Sequence, residues 1–123
     1  MQVLYVDDDR INLMLFSSAC AAVPGLQLRT AASGAEALEL AREQAPQLLV
    51  IDLHLGDTDG ATLLQALREA GVVEAPAYLC SADEGPEVDS LAQQAGFVGC
   101  WGKPVGVQQL RLALAAAGFA PAT

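Results

Sequence analysis

Charged residues follow three short apolar stretches of the chain, in each case where the stretch ends. Three acids, Asp7 to Asp9, follow the first stretch, Asp52 follows the second, and Lys103 follows the third. Such a group can bind a hard divalent cation, because Mg²⁺ prefers oxygen ligands. It can also act on phosphate, since a carboxylate can attack phosphorus and an ammonium group can offset charge on phosphoryl oxygens. The pattern predicts one polar site built from residues that are distant in sequence.

Each of these polar residues also has a simpler local interpretation. Asp is a preferred N-cap residue, and for Asp9 we expect this role alone. Lys103 could be a surface residue before Pro104, with the proline as first residue of a helix. Ser81 could open a capping box that ends at Glu84. The occurrence of all these groups at successive strand ends nevertheless favours a shared site.

Strand-like and helix-like segments alternate five times along the chain. The strand-like runs are rich in Val, Ile and Leu and lack polar alternation, which is typical of parallel strands covered on both faces by helices. In the first helix, Ile11, Met14, Leu15 and Ser18 show helical spacing. Because parallel strands place their carboxyl ends at one edge of the sheet, the predicted site lies there. We predict strands at 2–6, 26–30, 47–52, 76–81 and 97–101, and helices at 10–23, 33–44, 60–70, 88–95 and 105–117.

The length, net charge and cysteine content of the chain limit the classes of protein to which it can belong. A chain of 123 residues is one domain of common size, and 15 acids against six bases give a formal charge of -9, which disfavours direct nucleic acid binding. The uncharged stretch 11–28 is interrupted by Pro24 and Gly25, so we expect no membrane insertion. We expect no secretory signal, and the cysteines lack a C-x-x-C spacing. We therefore expect a cytoplasmic domain with buried thiols at Cys20, Cys80 and Cys100.

The motifs resemble those of the receiver domain of bacterial two-component response regulators. The resemblance covers the chain from Leu4 to about Gly118 and treats residues 1–123 as a single receiver domain. It implies a flavodoxin-like α/β fold, doubly wound, with a five-stranded parallel sheet of order 2-1-3-4-5 and helices on both faces. The matching residues are the acidic pair Asp7-Asp8, the phosphoacceptor Asp52, the hydroxyl switch residue Ser81 and the Lys103-Pro104 step, whose peptide bond is cis in such a motif.

This resemblance implies a signalling switch rather than an enzyme. A histidine kinase or histidine phosphotransfer protein would donate a phosphoryl group to Asp52, with Mg²⁺ as cofactor. The metal would be held by Asp8, Asp52 and the His54 carbonyl, and by Asp7 mainly through water. Lys103, Ser81 and the Ala82 backbone N–H would then bind the phosphoryl group. The output would be a changed surface for a downstream protein, and the face from the fourth to the fifth helix could support a homodimer.

Three positions depart from the family pattern. Cys100 stands where receivers commonly carry an aromatic switch residue, so we regard Ser81 and Cys100 as the switch pair. Gly56-Asp57 replaces a common Pro-Gly, which suggests a mobile loop and one more acid near the metal.

Cys80 and Cys100 lie on neighbouring predicted strands, where redox control is conceivable. The His54 side chain is expected to project outward.

Two other functions remain open from the sequence. A pseudo-receiver would bind a partner protein without regulation by phosphorylation. A haloacid-dehalogenase-type phosphatase is suggested by Asp57-Thr58-Asp59-Gly60, although this segment does not directly follow an apolar strand and Asp59 fits an N-cap better. The chain could be a stand-alone regulator or a part of a hybrid kinase, since no output segment follows Gly118 in the sequence.

Overall fold

The computed structural model describes residues 1–71, 74–82, 85–103 and 105–118. All five strands run parallel in one sheet of order β2-β1-β3-β4-β5, which confirms the predicted topology. The elements are β1 (Gln2–Val6), α1 (Arg10–Ala21), β2 (Gln27–Ala31), α2 (Gly34–Glu43), β3 (Leu48–Asp52), α3 (Gly60–Glu69), β4 (Ala77–Ser81), α4 (Pro86–Ala95), β5 (Gly99–Gly102) and α5 (Val107–Ala116).

Helices cover both faces of this sheet, and the two faces form two apolar cores. One core joins the sheet to α2, α3 and α4, and the other joins it to α1 and α5. β3 lies in the centre, and every residue from Leu48 to Asp52 is buried. A strand with neighbours on both edges and helices on both faces cannot shift easily, because interiors are packed at crystal-like density. Asp52 is therefore held at the end of a fully buried central strand.

The apolar residues from which the helical spacing of α1 was predicted do not face the core in the structure. Ile11 and Met14 are 68% and 65% exposed, and Leu15 is 48% exposed. The buried side of α1 instead contains Phe16, whose ring stacks on Tyr5 of β1 with centroids 4.1 Å apart. Apolar side chains on α1 therefore form an exposed surface, here called the α1 patch (Ile11, Met14 and Leu15).

The segment between β4 and α4 differs from the prediction. α4 begins at Pro86 rather than Val88, and its N-cap is Gly85, with φ of 136°. The alternative in which Ser81 opens a capping box does not hold for α4, because Ser81 ends β4 and the N-cap of α4 is Gly85; residues 83 and 84 lie outside the described residues. β5 and α5 both begin two residues later than predicted, and Pro104, with its predicted cis bond, also lies outside the described part.

None of the helices in the described part of the chain combines the length and apolar character needed to cross a membrane.

Candidate functional site

The predicted polar residues meet at the carboxyl edge of the sheet. Asp7 follows β1, Asp52 ends β3, Ser81 ends β4, and Lys103 follows β5. The Lys103 backbone N–H donates to the Ser81 carbonyl at 3.1 Å, which ties two of these positions together. Asp52, Ser81 and Lys103 line a cleft of about 400 Å³. Its lining consists of Asp8, Asp9, Asn12, Leu15, Asp52, His54, Ser81, Ala82 and Lys103.

Lys103 forms ion pairs with two carboxylates, of which that of Asp52 lines this cleft. Its Nζ lies 2.9 Å from Asp7 Oδ2 and 2.8 Å from Asp52 Oδ1. The side chains of Asp7 and Asp52 are 0% and 7% exposed, and that of Lys103 is 13% exposed. Charges this far from water require close partners, because unpaired buried charges are costly. One ammonium group therefore links the ends of β1 and β3.

The ionisation of these groups reflects burial and their mutual contacts. Burial raises the pKa of Asp52 above its ordinary value; the hydrogen bond from Lys103 opposes this rise, and the charges of Asp7 and Asp8 add to it. Burial lowers the pKa of Lys103, but hydrogen bonds to Asp52 and Asp7 more than offset this, so that its pKa is raised overall. The site thus carries an excess of negative charge that a cation would relieve.

Besides Lys103, two other groups donate hydrogen bonds to the Asp7 carboxylate. The Tyr5 hydroxyl donates to Asp7 Oδ2 at 2.7 Å, and the Asp9 backbone N–H donates to Asp7 Oδ1 at 2.9 Å. Tyr5 is buried, and burial raises the pKa of its hydroxyl, which keeps the proton available for donation. Tyr5 is not among the site residues predicted from the sequence. Its spacing was the available signal, since residues two apart on a strand share one face.

Three carboxylates are arranged so that they could hold a metal ion. Single oxygen atoms of Asp7, Asp8 and Asp52 all lie within 4.8 Å of one another. Hard oxygen donors of this kind fit Mg²⁺. Asp8 is exposed at the cleft, whereas Asp7 is buried. His54 is exposed at the same cleft, so its outward side chain agrees with the prediction; metal binding by its carbonyl remains a prediction.

Two other acids close to the site act as helix caps. Asp9 Oδ1 accepts from the Ile11 backbone N–H at 2.8 Å, and Asp59 Oδ1 accepts from the Thr62 backbone N–H at 2.7 Å. Both N-cap predictions are confirmed. Because Asp59 caps α3 and Asp52 ends β3, the Asp57-to-Gly60 segment does not have the strand-end acid that a dehalogenase-type motif requires.

Asp57 has a different position from the one predicted. Its carboxylate accepts hydrogen bonds from the Gly34 and Ala35 backbone N–H groups at 2.9 and 3.1 Å. These bonds, first that from Gly34, lower the pKa of Asp57. The acid cluster in the described residues consists of Asp7, Asp8 and Asp52, so Asp57 is not the additional acid expected at the metal and instead binds the first turn of α2; the greater mobility of the loop stays a prediction.

Cys80 and Cys100 lie on adjacent strands but on opposite faces of the sheet. Cys80 is in register with Trp101, and Cys100 is in register with Leu79. Cys80 belongs to the core beneath α1 and α5, whereas Cys100 packs against the core beneath α4. A disulfide between them would need the strands to be rebuilt. Trp101 stacks on Tyr78, with ring centroids 4.4 Å apart, which confirms its predicted place on the face opposite Cys100.

Comparisons with known proteins agree with this geometry. Residues 3–115 match the family model of the response regulator receiver domain. The sensor histidine kinase RcsC of Salmonella typhi is 30% identical over 115 residues, which is 94% of this chain and 12% of that protein. The polar-differentiation response regulator DivK of Brucella ovis is 31% identical over 111 residues, 85% of each chain. The receiver domain of Francisella response regulator 1452 has a TM-score of 0.79 at 26% identity over 94% of each chain.

Several other curated relatives are much longer than the matched region. The chain spans 50% of a Bacillus subtilis C4-dicarboxylate response regulator and 32% of a Myxococcus xanthus protein-glutamate methylesterase. In those proteins, as in the sensor kinase, the similarity extends over one part of the molecule.

Proposed function

Because the chain belongs to the response regulator receiver domain family, we propose that Asp52 accepts a phosphoryl group from a phosphohistidine. The donor is a histidine kinase or a histidine phosphotransfer protein. The observation that carries this proposal is the position of Lys103 Nζ, which lies 2.8 Å from Asp52 Oδ1 and 2.9 Å from Asp7 Oδ2. The domain acts as a cytoplasmic switch, with residues 1–123 as a single receiver domain.

The transfer exchanges one bond to phosphorus for another. A carboxylate oxygen of Asp52 attacks the phosphorus atom, and the phosphorus–nitrogen bond of the donor breaks. Its electron pair stays on the imidazole nitrogen, and an aspartyl phosphate forms. Lys103 is close enough to Asp52 to offset negative charge on the phosphoryl oxygens as it develops. The buried strand β3 holds the acceptor carboxylate in place during this step.

Mg²⁺ is the proposed cofactor, held by Asp8, Asp52 and the His54 carbonyl. When bound, it supplies positive charge against the phosphoryl oxygens and the clustered carboxylates. Asp7 is assigned a role through water, because its oxygens already accept from Tyr5, Lys103 and the Asp9 backbone N–H. Asp8 and Asp52 both line the cleft, and Asp8 is the more exposed of the two.

The proposed switch begins at the end of β4. The Ser81 hydroxyl and the Ala82 backbone N–H bind the phosphoryl group together with Lys103. The hydrogen bond from Lys103 N–H to the Ser81 carbonyl would move β4 and β5 together. Cys100 on β5 is half-buried against the α4 side, so it replaces the aromatic switch residue with a smaller side chain. The surface from α4 to α5 is the proposed output face, for a downstream protein or a second copy.

The α1 patch is the proposed contact for the phosphodonor protein. Leu15 lines the cleft that contains Asp52, and Ile11 and Met14 are exposed apolar residues of the same helix. An exposed apolar patch of this kind is typical of protein interaction sites. A partner that covers it would bring its phosphohistidine close to Asp52.

Phosphorylation with acetyl phosphate and Mg²⁺ tests the proposal without a cognate kinase. A phosphate-affinity gel should show a slower band for the wild-type protein, and Asp52→Asn should abolish it. Asp89→Asn, which changes an exposed acid on α4, is the matched control and should retain the band. Persistence of the band in Asp52→Asn would contradict the assignment. Beryllofluoride with Mg²⁺ should also change the spectra of Ser81 and Trp101, whereas a pseudo-receiver would show no change.

A further inference from the structure

The first turn of α2 is capped by a residue from a distant loop. Asp57, in the loop between β3 and α3, accepts from Gly34 N–H through Oδ1 and from Ala35 N–H through Oδ2. Ser33 Oγ accepts from the Glu36 N–H at 3.1 Å. The first N–H groups of a helix have no partner within the helix, and an acid near them also interacts favourably with the helix dipole. The Asp57 carboxylate therefore forms a two-point contact between the loop and α2.

Close packing at Gly34 is an independent sign of this contact. A Cβ atom added at Gly34 would lie 2.6 Å from Thr58 Cγ2 and 3.4 Å from Asp57 Oδ1. Since Cβ atoms do not approach other atoms so closely, the loop sits against α2 at a distance that only glycine permits at this position. The contact is thus both polar, through Asp57, and steric, through Thr58.

The opposite side of the same loop faces the acidic cluster. A Cβ atom at Gly56 would lie 3.9 Å from Asp8 Oδ2, so the Gly56 backbone is next to this carboxylate. Within the loop, Leu55 N–H donates to the Thr58 carbonyl at 3.0 Å, and Gly60 N–H donates to the Leu53 carbonyl at 2.8 Å. These bonds make the loop a compact unit between Asp8 and α2.

We propose that Asp57 is a positioning residue, which anchors the β3–α3 loop on α2 and thereby fixes the loop backbone beside the metal-binding acids. The part of this inference that concerns Mg²⁺ rests on the proposed function. The residues before Asp57 include His54, whose carbonyl is a proposed ligand, so loss of the anchor would let that carbonyl move. Second-layer contacts of this kind orient ligands and raise metal affinity. By linkage, Mg²⁺ binding must in turn strengthen the contact between the loop and α2.

Magnesium affinity measured by calorimetry gives the first test. Asp57→Ala should weaken Mg²⁺ binding by about tenfold, at the lower end of the range for second-layer partners. Asp57→Asn should have a smaller effect, because its side chain keeps one acceptor oxygen. Gly34→Ala should also weaken binding, although it leaves every acid in place. Ser33→Ala is the matched control: it removes a cap of the same helix without touching the loop, and should leave Mg²⁺ affinity unchanged.

Amide hydrogen exchange gives a readout that does not depend on phosphorylation. In wild-type protein, Mg²⁺ should slow exchange of the Gly34 and Ala35 amides. In metal-free Asp57→Ala, exchange of the Leu55 and Gly60 amides should be faster than in wild type, because the anchored loop protects them.

The outcomes separate the two proposals. If wild-type protein does not bind Mg²⁺ but Asp57→Ala still speeds exchange at Leu55 and Gly60, the metal part of the proposed function fails and the anchoring role stands. If wild-type protein binds Mg²⁺ and Asp57→Ala binds it equally well, the positioning role is overturned. Unchanged exchange at Leu55 and Gly60 in Asp57→Ala overturns the anchoring role itself.

Discussion

The Tyr5 hydroxyl donates a 2.7 Å hydrogen bond to Asp7 Oδ2, and both residues are buried. Hydrogen bonds to charged groups contribute about 1.5–3 kcal/mol, and Asp7 is 0% exposed, so water cannot replace the lost donor easily. Tyr5→Phe should therefore lower the free energy of unfolding by about 1.5–3 kcal/mol at neutral pH. Urea denaturation followed by far-UV circular dichroism measures this change.

Tyr78→Phe is the control for loss of a hydroxyl from a buried tyrosine. Tyr78 stacks on Trp101 through its ring, and this contact is kept in the variant. The control should change the free energy of unfolding by less than Tyr5→Phe does, because it removes no hydrogen bond to a buried carboxylate. Equal effects of the two substitutions would show that the hydrogen bond to Asp7 is not the cause.

Asp52 should reduce the stability of the metal-free protein at neutral pH. Burial raises its pKa, so the folded protein binds the Asp52 proton more tightly than the unfolded chain does. The free energy of unfolding therefore falls as pH rises from below the ordinary value of 3.8 through the raised folded pKa. Asp52→Asn, which stays uncharged, should be more stable than wild type at neutral pH, with a difference that disappears below the ordinary pKa.

Urea denaturation in EDTA at a series of pH values measures this difference. Asp89→Asn, an exposed acid on α4, should give no comparable gain. Added Mg²⁺ should stabilise wild type more than Asp52→Asn, because a ligand that binds the folded state stabilises it by mass action. A variant that is less stable than wild type at neutral pH in EDTA would contradict the prediction.

The three thiols should differ in reactivity. Cys20 and Cys80 are buried, and burial raises the pKa of each thiol to about 12. The thiolate is the reactive form, so both should react with Ellman's reagent only after unfolding. Cys100 is half-exposed and should account for the thiol that reacts in the folded protein. Cys100→Ser should remove this reaction, and a fast thiol that persists in the variant would contradict the assignment.

A substitution in the α1 patch should slow phosphoryl transfer from a protein donor much more than transfer from a small-molecule donor. Leu15→Glu places a charge beside the cleft, where it would repel or fail to fit an apolar partner surface. We expect transfer from a cognate phosphohistidine protein to slow by about tenfold, since truncating a central contact costs more than about 1 kcal/mol. Phosphorylation by acetyl phosphate, which needs no docking, should change much less.

Leu112→Glu is the matched control for that experiment. Leu112 on α5 is 68% exposed and lies outside the cleft lining. In this variant, phosphoryl transfer to Asp52 from either donor should proceed at the wild-type rate. A comparable loss with acetyl phosphate in Leu15→Glu would mean that the substitution disturbs the cleft itself.

The alternation of strands and helices and the central acids could be predicted from short-range patterns, whereas the strand order came from the resemblance to receiver domains, because alternation alone does not decide it. β3 is an uninterrupted apolar run that ends at Asp52, and its bounds differ from the prediction by one residue. The orientation of α1 could not be predicted in the same way. Phe16 and Ile11 both belong to stripes with helical spacing, and nothing local decides between them. Stacking of Phe16 on Tyr5, a tertiary contact, decides which stripe is buried.

The role of Asp57 was missed for a similar reason. Its partners, Gly34 and Ala35, precede it by more than 20 residues and offer backbone N–H groups, which carry no sequence signal. The departure from Pro-Gly suggested a looser loop, but a carboxylate at this position creates a new attachment. Composition of a loop indicates its intrinsic flexibility, whereas its actual order depends on what it contacts.

Lys103 is the single lysine of the chain, since the other five basic residues are arginines. Its side-chain ammonium is therefore the one lysine signal that isotope-labelled protein would give in a nitrogen spectrum, and it comes from the centre of the cleft. Arginine guanidinium groups resonate elsewhere and would not overlap with it. Selective labelling with lysine alone thus turns the residue between Asp7 and Asp52 into a reporter of site occupancy, without any introduced probe.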